Sequence, residues 1–285
     1  MLRTSLAACA ASPPVDPDRS RLAKWTAALR AEGLARPEVP FGRAVIRVGE
    51  LAAGTPYESS TLEAYLRAGG SPSNTEPLTL SLTRFDCVTL VEACLAVARV
   101  ADERAATWKL FGHEVERMRY RGGVRRGYAS RLHYFSEWIA DGARHGLLRD
   151  LGAELGGAED ARPLRFMTEH RGSYPALADD GAFREIETVE RRLDGRPRRV
   201  VPTGRIADVA ERIETGDVLA FATAIPGLDV THAAFAYRDA TGILRVLHAP
   251  LSGGVVEVTR ATLPEYVAAI RRSTGILVAR PLPSS

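Results

Sequence analysis

Hydrophobic and polar positions change period along this chain, and the change divides it. From Asp16 a helical pattern runs to Gly33, with Pro17 at a first helical position and Trp25 and Leu29 on one face. A second helix is expected over about Arg43 to Ala53, broken by Gly54-Thr55-Pro56-Tyr57. Leu78-Thr79-Leu80-Ser81-Leu82 alternates as a short strand does. From Asp86 to Val100 the residues Val88, Val91, Leu95 and Ala98 recur at helical spacing. Further helices are expected over about Ala105 to Tyr120, Tyr134 to Arg144 and Phe183 to Leu193. The last third turns to short strands: Val218 to Ala222, Val230 to Tyr237, Ile243 to His248 and Val255 to Val258. A helix over Leu263 to Arg271 follows, and Ile276 to Ala279 is expected to end the sheet. Helices followed by antiparallel strands make an α+β chain, not an alternating βαβ one.

Composition narrows the function classes. The 285 residues are 45% hydrophobic and 26% charged, as in a soluble globular protein. Residues 1–20 read as a flexible segment, and 21–285 as one domain with a helical insertion over about 104–200. No apolar run is long enough to cross a bilayer. The net charge of +3 gives little support to a nucleic-acid partner. Five arginines within Arg117 to Arg126, and Arg191, Arg192, Arg196, Arg198 and Arg199, form two clusters, read as solvated faces. Apart from Lys24 and Lys109 every basic residue is arginine, which is read as codon usage. Leu6-Ala7-Ala8-Cys9 matches a lipobox, making Cys9 a candidate lipidation site and the only route to a membrane. The apolar stretch before it is short, so a start further upstream and a chance match are both left open.

The other two cysteines differ in kind. Cys87 and Cys94 are seven residues apart on one expected helix, a rise of about 10 Å, too far for a disulfide. Without C-x-x-C or H-E-x-x-H a zinc site has little support, and no cofactor is expected. Cys94 reads as a small buried hydrophobe. Cys87 occupies the first turn of its helix, where free N–H groups and the helix dipole lower a thiol pKa. Asp86 opposes that effect unless its carboxylate turns back to cap the helix.

A thiol nucleophile needs a base and an orienting group. His113, His133, His145 and His170 fall in or near charged helices and read as surface or packed residues. His232 and His248 lie on successive strands joined by Arg238-Asp239-Ala240-Thr241-Gly242. With the turn centred on Ala240 they sit directly opposite each other, about 5 Å apart at Cβ. A slip in register would leave them diagonal or on opposite faces. Packing the cysteine helix on this sheet gives Cys–His–His, a papain-like arrangement.

Five segments carry a resemblance: Gly54-Thr55-Pro56-Tyr57, Phe85-Asp86-Cys87-Val88-Thr89-Leu90-Val91-Glu92, Ser130-Arg131-Leu132-His133-Tyr134-Phe135-Ser136-Glu137-Trp138-Ile139, Gly227-Leu228-Asp229-Val230-Thr231-His232 and His248-Ala249. In this order they resemble the N-acetylmuramoyl-L-alanine amidase-like branch of the NlpC/P60 superfamily, over about residues 40–280. Pro250 departs from the family's usual His-Ala-Ser. The resemblance implies a papain-like fold and a cysteine amidase that cuts between N-acetylmuramic acid and L-alanine, preferring anhydro-muropeptides. It implies Cys87 as nucleophile, His232 as base and His248 as orienter, with Tyr57, Asp86, Arg131, Tyr134 and Asp229 on the substrate side. An ion pair of Arg131 with Glu137 or Asp141 is the alternative for that residue, and simple packing the alternative for Tyr134. A D-glutamyl–diaminopimelate endopeptidase and a non-catalytic, lipid-anchored wall-binding module stay open as other functions. The substrate class implies the periplasm or cell envelope.

Overall fold

The computed structural model describes residues 16–250 and 254–283, so Cys9 and the lipobox-like residues before it lie outside the described residues. The elements run α1 (Pro17–Ala31), α2 (Phe41–Leu51), α3 (Ala64–Arg67), α4 (Cys87–Asp102), α5 (Trp108–Arg119) and α6 (Phe135–Arg144). Next come β1 (Leu148–Asp150), β2 (Ala158–Asp160), α7 (Phe166–Glu169), α8 (Asp180–Leu193), β3 (Arg198–Pro202) and α9 (Ile206–Val209). The chain closes with β4 (Val218–Thr223), β5 (Val230–Arg238), β6 (Leu244–His248), β7 (Glu257–Val258), α10 (Leu263–Ala269) and β8 (Ser273–Pro281). The expected insertion over 104–200 carries α5 to α8 together with β1, β2 and the start of β3.

One antiparallel sheet organises the domain, in the order β2-β3-β8-β4-β5-β6-β7, with β1 also paired to β8. Ile276 to Ala279, expected at the sheet's end, is instead near its middle. β4 flanks β8 on one side, and β3 and β1 share the other. Last in sequence is therefore not last in space, and the nine residues of β8 are long enough for both short partners.

Alternation along the strands builds two cores. Ala220, Ala233, Phe235, Leu247 and Leu277 face α1, α2, α4, α5 and α6. Leu219, Phe221, Ala234, Val246 and Ile276 face a thinner layer that includes α9 and α10. A third cluster, with Tyr128, Tyr134, Met167, Leu177 and Ile186, joins the loop before α6 to α7 and α8.

Helix α4 is the central helix, buried continuously from Leu90 to Ala101. Its two long polar residues are matched inside the core. Glu92 meets Arg119 of α5 at 2.7 Å, and Arg99 donates to the Leu147 carbonyl at 2.7 Å. The Leu78 to Leu82 strand does not form. Its backbone is held by side chains instead: Arg119 donates to the Thr79 carbonyl at 2.6 Å, Arg21 donates to that of Leu82 at 2.8 Å, and Leu82 N–H donates to Asp18 at 2.6 Å. Satisfied this way, the segment needs no ladder partner.

The arginine clusters are also less free than their exposure in sequence implied. Arg117, Arg119, Arg121 and Arg125 pair with Glu114, Glu92, Glu137 and Glu116, and Arg191, Arg198 and Arg199 with Glu187, Asp160 and Glu159.

Candidate active site

Cys87 is the first residue of α4, and its placement is set by Asp86. The Asp86 carboxylate turns back to accept the Thr89 N–H at 2.7 Å, while the Asp86 N–H donates to Thr89 Oγ1 at 2.9 Å. This reciprocal capping box fixes the helix start. Asp86 thus serves the helix, in a position the resemblance had put on the substrate side. Just before it, Phe85 is stitched to the Gly54–Tyr57 segment: its N–H donates to the Pro56 carbonyl at 3.1 Å, and its carbonyl accepts from Glu58 at 2.9 Å. Tyr57 N–H in turn donates to the Gly254 carbonyl at 2.8 Å.

Cys87 as a residue is neither fully buried nor exposed, and the acidity of its thiol runs against the helix-start expectation. Burial first, and the Asp86 charge second, push the Cys87 thiol up to about 12. The N–H groups of Ala233, Val88 and Cys87 itself pull in the opposite direction and are outweighed. Cys94, two turns on, is fully buried among apolar side chains, as expected, and both thiols are free.

His232 and His248 are brought together, by a different register from the expected one. The β5–β6 pairing matches Phe235 with Leu247 and Arg238 with Leu244, which centres the turn on Thr241. Asp239 closes the loop with Ile243, and Gly242 sits at φ +86°. A three-residue loop with glycine in the left-handed region is a favoured hairpin connection, and it shifts the ladder. The two histidines are therefore diagonal neighbours on one face. His232 Nε2 still reaches His248 Nδ1 at 2.8 Å, the rings meeting edge to face at 70°. Burial, with the His248 charge in second place, lowers His232 to about 3, and burial lowers His248 to about 4. Both rings are neutral at neutral pH. His232 stacks on Phe221, and Tyr266 of α10 places its hydroxyl 3.2 Å from His248 Nδ1. Among the described residues no hydrogen bond joins the Cys87 sulfur to either ring. Ala233, next in the chain after His232, has its N–H turned to that sulfur.

The remaining sequence candidates separate by environment. Tyr57 is half-buried beside the thiol, its hydroxyl pKa raised by burial and then by Cys87 and Asp86. Asp229, buried, accepts the Ser136 N–H at 2.7 Å, tying the start of β5 to the first turn of α6. Tyr134 is buried and donates to Glu190 at 2.6 Å. Arg131 meets both Glu63 and Glu76 at 3.3 Å and packs over Tyr128. Its partners are not Glu137 and Asp141, which bind Arg121 and Arg144. Tyr266 and Phe221 went unnoticed in sequence. The Thr262–Glu265 capping box marks the helix that carries Tyr266, but nothing local says it folds back over the histidines.

The five resembling segments thus meet around the start of α4 and the strands β5 and β6. A match to the AmiA-like family, described as N-acetylmuramoyl-L-alanine amidase-like, covers residues 47–276. The chain belongs to this family. Comparison with curated proteins gave no match. Among solved structures, a Bacteroides uniformis N-acetylmuramoyl-L-alanine amidase is similar at 29% identity and TM-score 0.77, over 85% of this chain and 98% of that one. A Bacteroides fragilis protein named a candidate xylanase is similar at 32% identity and TM-score 0.74, over 82% and 98%. A Legionella pneumophila protein shares the fold at 18% identity and TM-score 0.65, over 93% and 94%. Membership of the amidase-like family, with the amidase-named neighbour, makes the protein a hydrolase of peptidoglycan type. No helix of the described residues is long and apolar enough to span a membrane.

Proposed function

We propose that the protein is a cysteine amidase of the papain-like NlpC/P60 type that hydrolyses the N-acetylmuramoyl–L-alanine bond of peptidoglycan fragments, anhydro-muropeptides foremost. The observation that carries this reading is the division of labour on His232. Its Nε2 is committed to His248, and its Nδ1 has no partner among the described residues, on the residue next to the N–H that faces the Cys87 sulfur.

In this mechanism Cys87 Sγ attacks the lactyl carbonyl carbon as its proton passes to Nδ1 of His232. The proton moves with the attack, because the resting thiol and imidazole are both neutral. The Cys87 N–H at the start of α4 helps hold the developing oxyanion. Collapse breaks the C–N bond, and His232 returns the proton to the departing L-alanine amine. Water then cleaves the thioester with His232 as base. Catalytic hydrogen bonds are often long without substrate and tighten in the Michaelis complex, which is consistent with the open Cys87–His232 contact. Tyr57, beside the sulfur, contacts the substrate on this reading. A substrate carboxylate at Arg131 would compete with Glu63. The neighbour named a xylanase raises glycoside hydrolysis, which generally uses two carboxylates flanking the scissile bond. Here Asp86 and Asp229 are spent on helix starts.

We place the protein in the periplasm or cell envelope, with Cys9 as the candidate anchor. Product mass spectrometry on a mixed muropeptide pool tests the activity. Free stem peptide beginning with L-alanine is expected. Fragments cut between D-glutamate and diaminopimelate would make it an endopeptidase instead.

A further inference from the structure

Tyr266 makes a contact that bears on how the two histidines carry their protons. Its helix is seated on the sheet by buried Leu263 and Val267. The ring lies 5.4 Å from Phe221 and edge-on to His248, at 5.2 Å and 86°. Its hydroxyl makes one hydrogen bond among the described residues, to His248 Nδ1 at 3.2 Å. The same Nδ1 meets His232 Nε2 at 2.8 Å, while His248 Nε2 is buried with no partner among the described residues.

A neutral imidazole has a proton on one nitrogen and a lone pair on the other. Two arrangements of this pair are self-consistent. In the first, His232 carries its proton on Nε2 and donates it to Nδ1 of His248, whose own proton is on Nε2. Nδ1 of His232 is then a lone pair. In the second, His248 carries its proton on Nδ1 and donates it to Nε2 of His232, whose own proton is on Nδ1. Only the first leaves His232 able to accept a proton from a thiol.

Alone, the two rings favour the second arrangement. The first buries an N–H at His248 Nε2 without an acceptor, and orphaned buried donors are rarer than orphaned acceptors. Tyr266 adds weight to the other side: in the first arrangement its hydroxyl donates to the Nδ1 lone pair, shared with the His232 N–H, whereas in the second it can only accept from Nδ1–H, and its own proton is left without an acceptor among the described residues. The hydroxyl keeps its proton, its pKa pushed up to about 12 by burial and then by Glu257 and Cys87.

We propose that Tyr266 is a positioning residue that selects the tautomer of the His232–His248 pair, holding His248 in its Nε2–H form so that Nδ1 of His232 remains a base. The proposal rests on the reading of His232 as the base, and it can be tested without substrate. Tyr266→Phe keeps the ring against Phe221 and His248 and removes only the hydroxyl. Long-range 1H–15N NMR of histidine-labelled protein reports which nitrogen of each ring is protonated. The parent should show both rings as Nε2–H. The variant should shift the tautomer ratio toward Nδ1–H by roughly fivefold, the factor one ordinary hydrogen bond contributes to an equilibrium. On muropeptides, kcat should fall with it and KM should hold. A parent already in the Nδ1–H form, or a variant with the parent's tautomers, overturns the proposal. A parent that cleaves no muropeptide overturns the proposed activity instead and leaves the tautomer comparison standing.

Discussion

Nε2 of His232 and Nδ1 of His248 lie 2.8 Å apart although the two residues are not cross-strand partners. Continuing the β5–β6 register puts His248 opposite Ala234, whose methyl leaves room for the neighbouring ring to lean across. Diagonal neighbours on one face are within reach of aromatic side chains. The pair therefore needs a shared face and a small residue between, which this sequence supplies.

Removing either end of the proposed relay should abolish turnover without unfolding the protein. Cys87→Ala and His232→Ala are each expected to lower kcat by at least about a thousandfold, since nucleophile and base act as a unit. Release of the stem peptide, followed by mass spectrometry, reads the loss. Thermal unfolding separates a catalytic loss from a structural one: Cys87→Ala should stay near the parent, while His232→Ala gives up the bond to buried His248 and the stacking on Phe221 and should melt somewhat lower. Normal activity in Cys87→Ala would remove the cysteine mechanism.

The charge next to the nucleophile can be separated from the cap. Asp86→Asn keeps an oxygen for the Thr89 N–H and deletes the negative charge, which is second to burial in raising the Cys87 thiol. The thiol pKa should fall, and iodoacetamide should alkylate Cys87 several times faster at pH 8. Asp86→Ala loses the cap as well and should cost about 1 kcal/mol of stability. Equal alkylation rates in Asp86→Asn and the parent would show that the carboxylate does not hold the thiol protonated.

How much of this was legible in the sequence depends on how local each feature is. Helix α1 with its Asp16 cap, the run of α4 and the strands β4 to β6 follow from period and capping, and appear within a few residues of their expected bounds. The hairpin register did not, because it turns on one backbone choice, Gly242 at positive φ, that a turn-centre argument cannot weigh. Leu78–Leu82 misled because alternation says nothing about whether a partner strand is near. Asp229 and Tyr134 sit in resembling segments, and their contacts with Ser136 and Glu190, which tie β5 to α6 and α6 to α8, are not visible in the sequence. The ion pair of Arg119 with Glu92 spans two helices, and no spacing rule links residues 27 apart.

Acid should destabilise the protein partly through the histidine pair. In the unfolded chain both rings titrate near 6.5, whereas the folded protein holds His232 to about 3 and His248 to about 4. Between those limits the unfolded state binds more protons, so this contribution is full above about pH 6.5 and is lost as pH falls toward 3. Glu76, Glu92 and Asp229, raised by burial, act in the opposite sense and are common to parent and variant. The double variant His232→Gln, His248→Gln should therefore lose less stability than the parent between pH 6.5 and 4 in urea unfolding. Parallel curves would mean the rings are not held neutral.

The buried ion pair under the nucleophile helix should be costly to break and cheap to replace. Arg119 meets Glu92 at 2.7 Å with side chains 4% and 1% exposed, and it also donates to the Thr79 carbonyl. Arg119→Met leaves a carboxylate without a counter-charge in the core, and a loss of about 3–5 kcal/mol is expected. Burial already raises Glu92 and Arg119 pulls it back, so without the arginine the carboxyl should protonate more readily. Its folded pKa then lies further above the unfolded value, and the deficit relative to the parent should narrow as pH is lowered through that range. Replacing both partners, Glu92→Leu with Arg119→Met, removes the stranded charge and should recover most of the loss, short of the hydrogen bond to Thr79. Urea unfolding at pH 7 and pH 5 measures all three proteins. A double variant as unstable as Arg119→Met would mean that the bond to the Thr79 segment, rather than the charge on Glu92, is what Arg119 supplies.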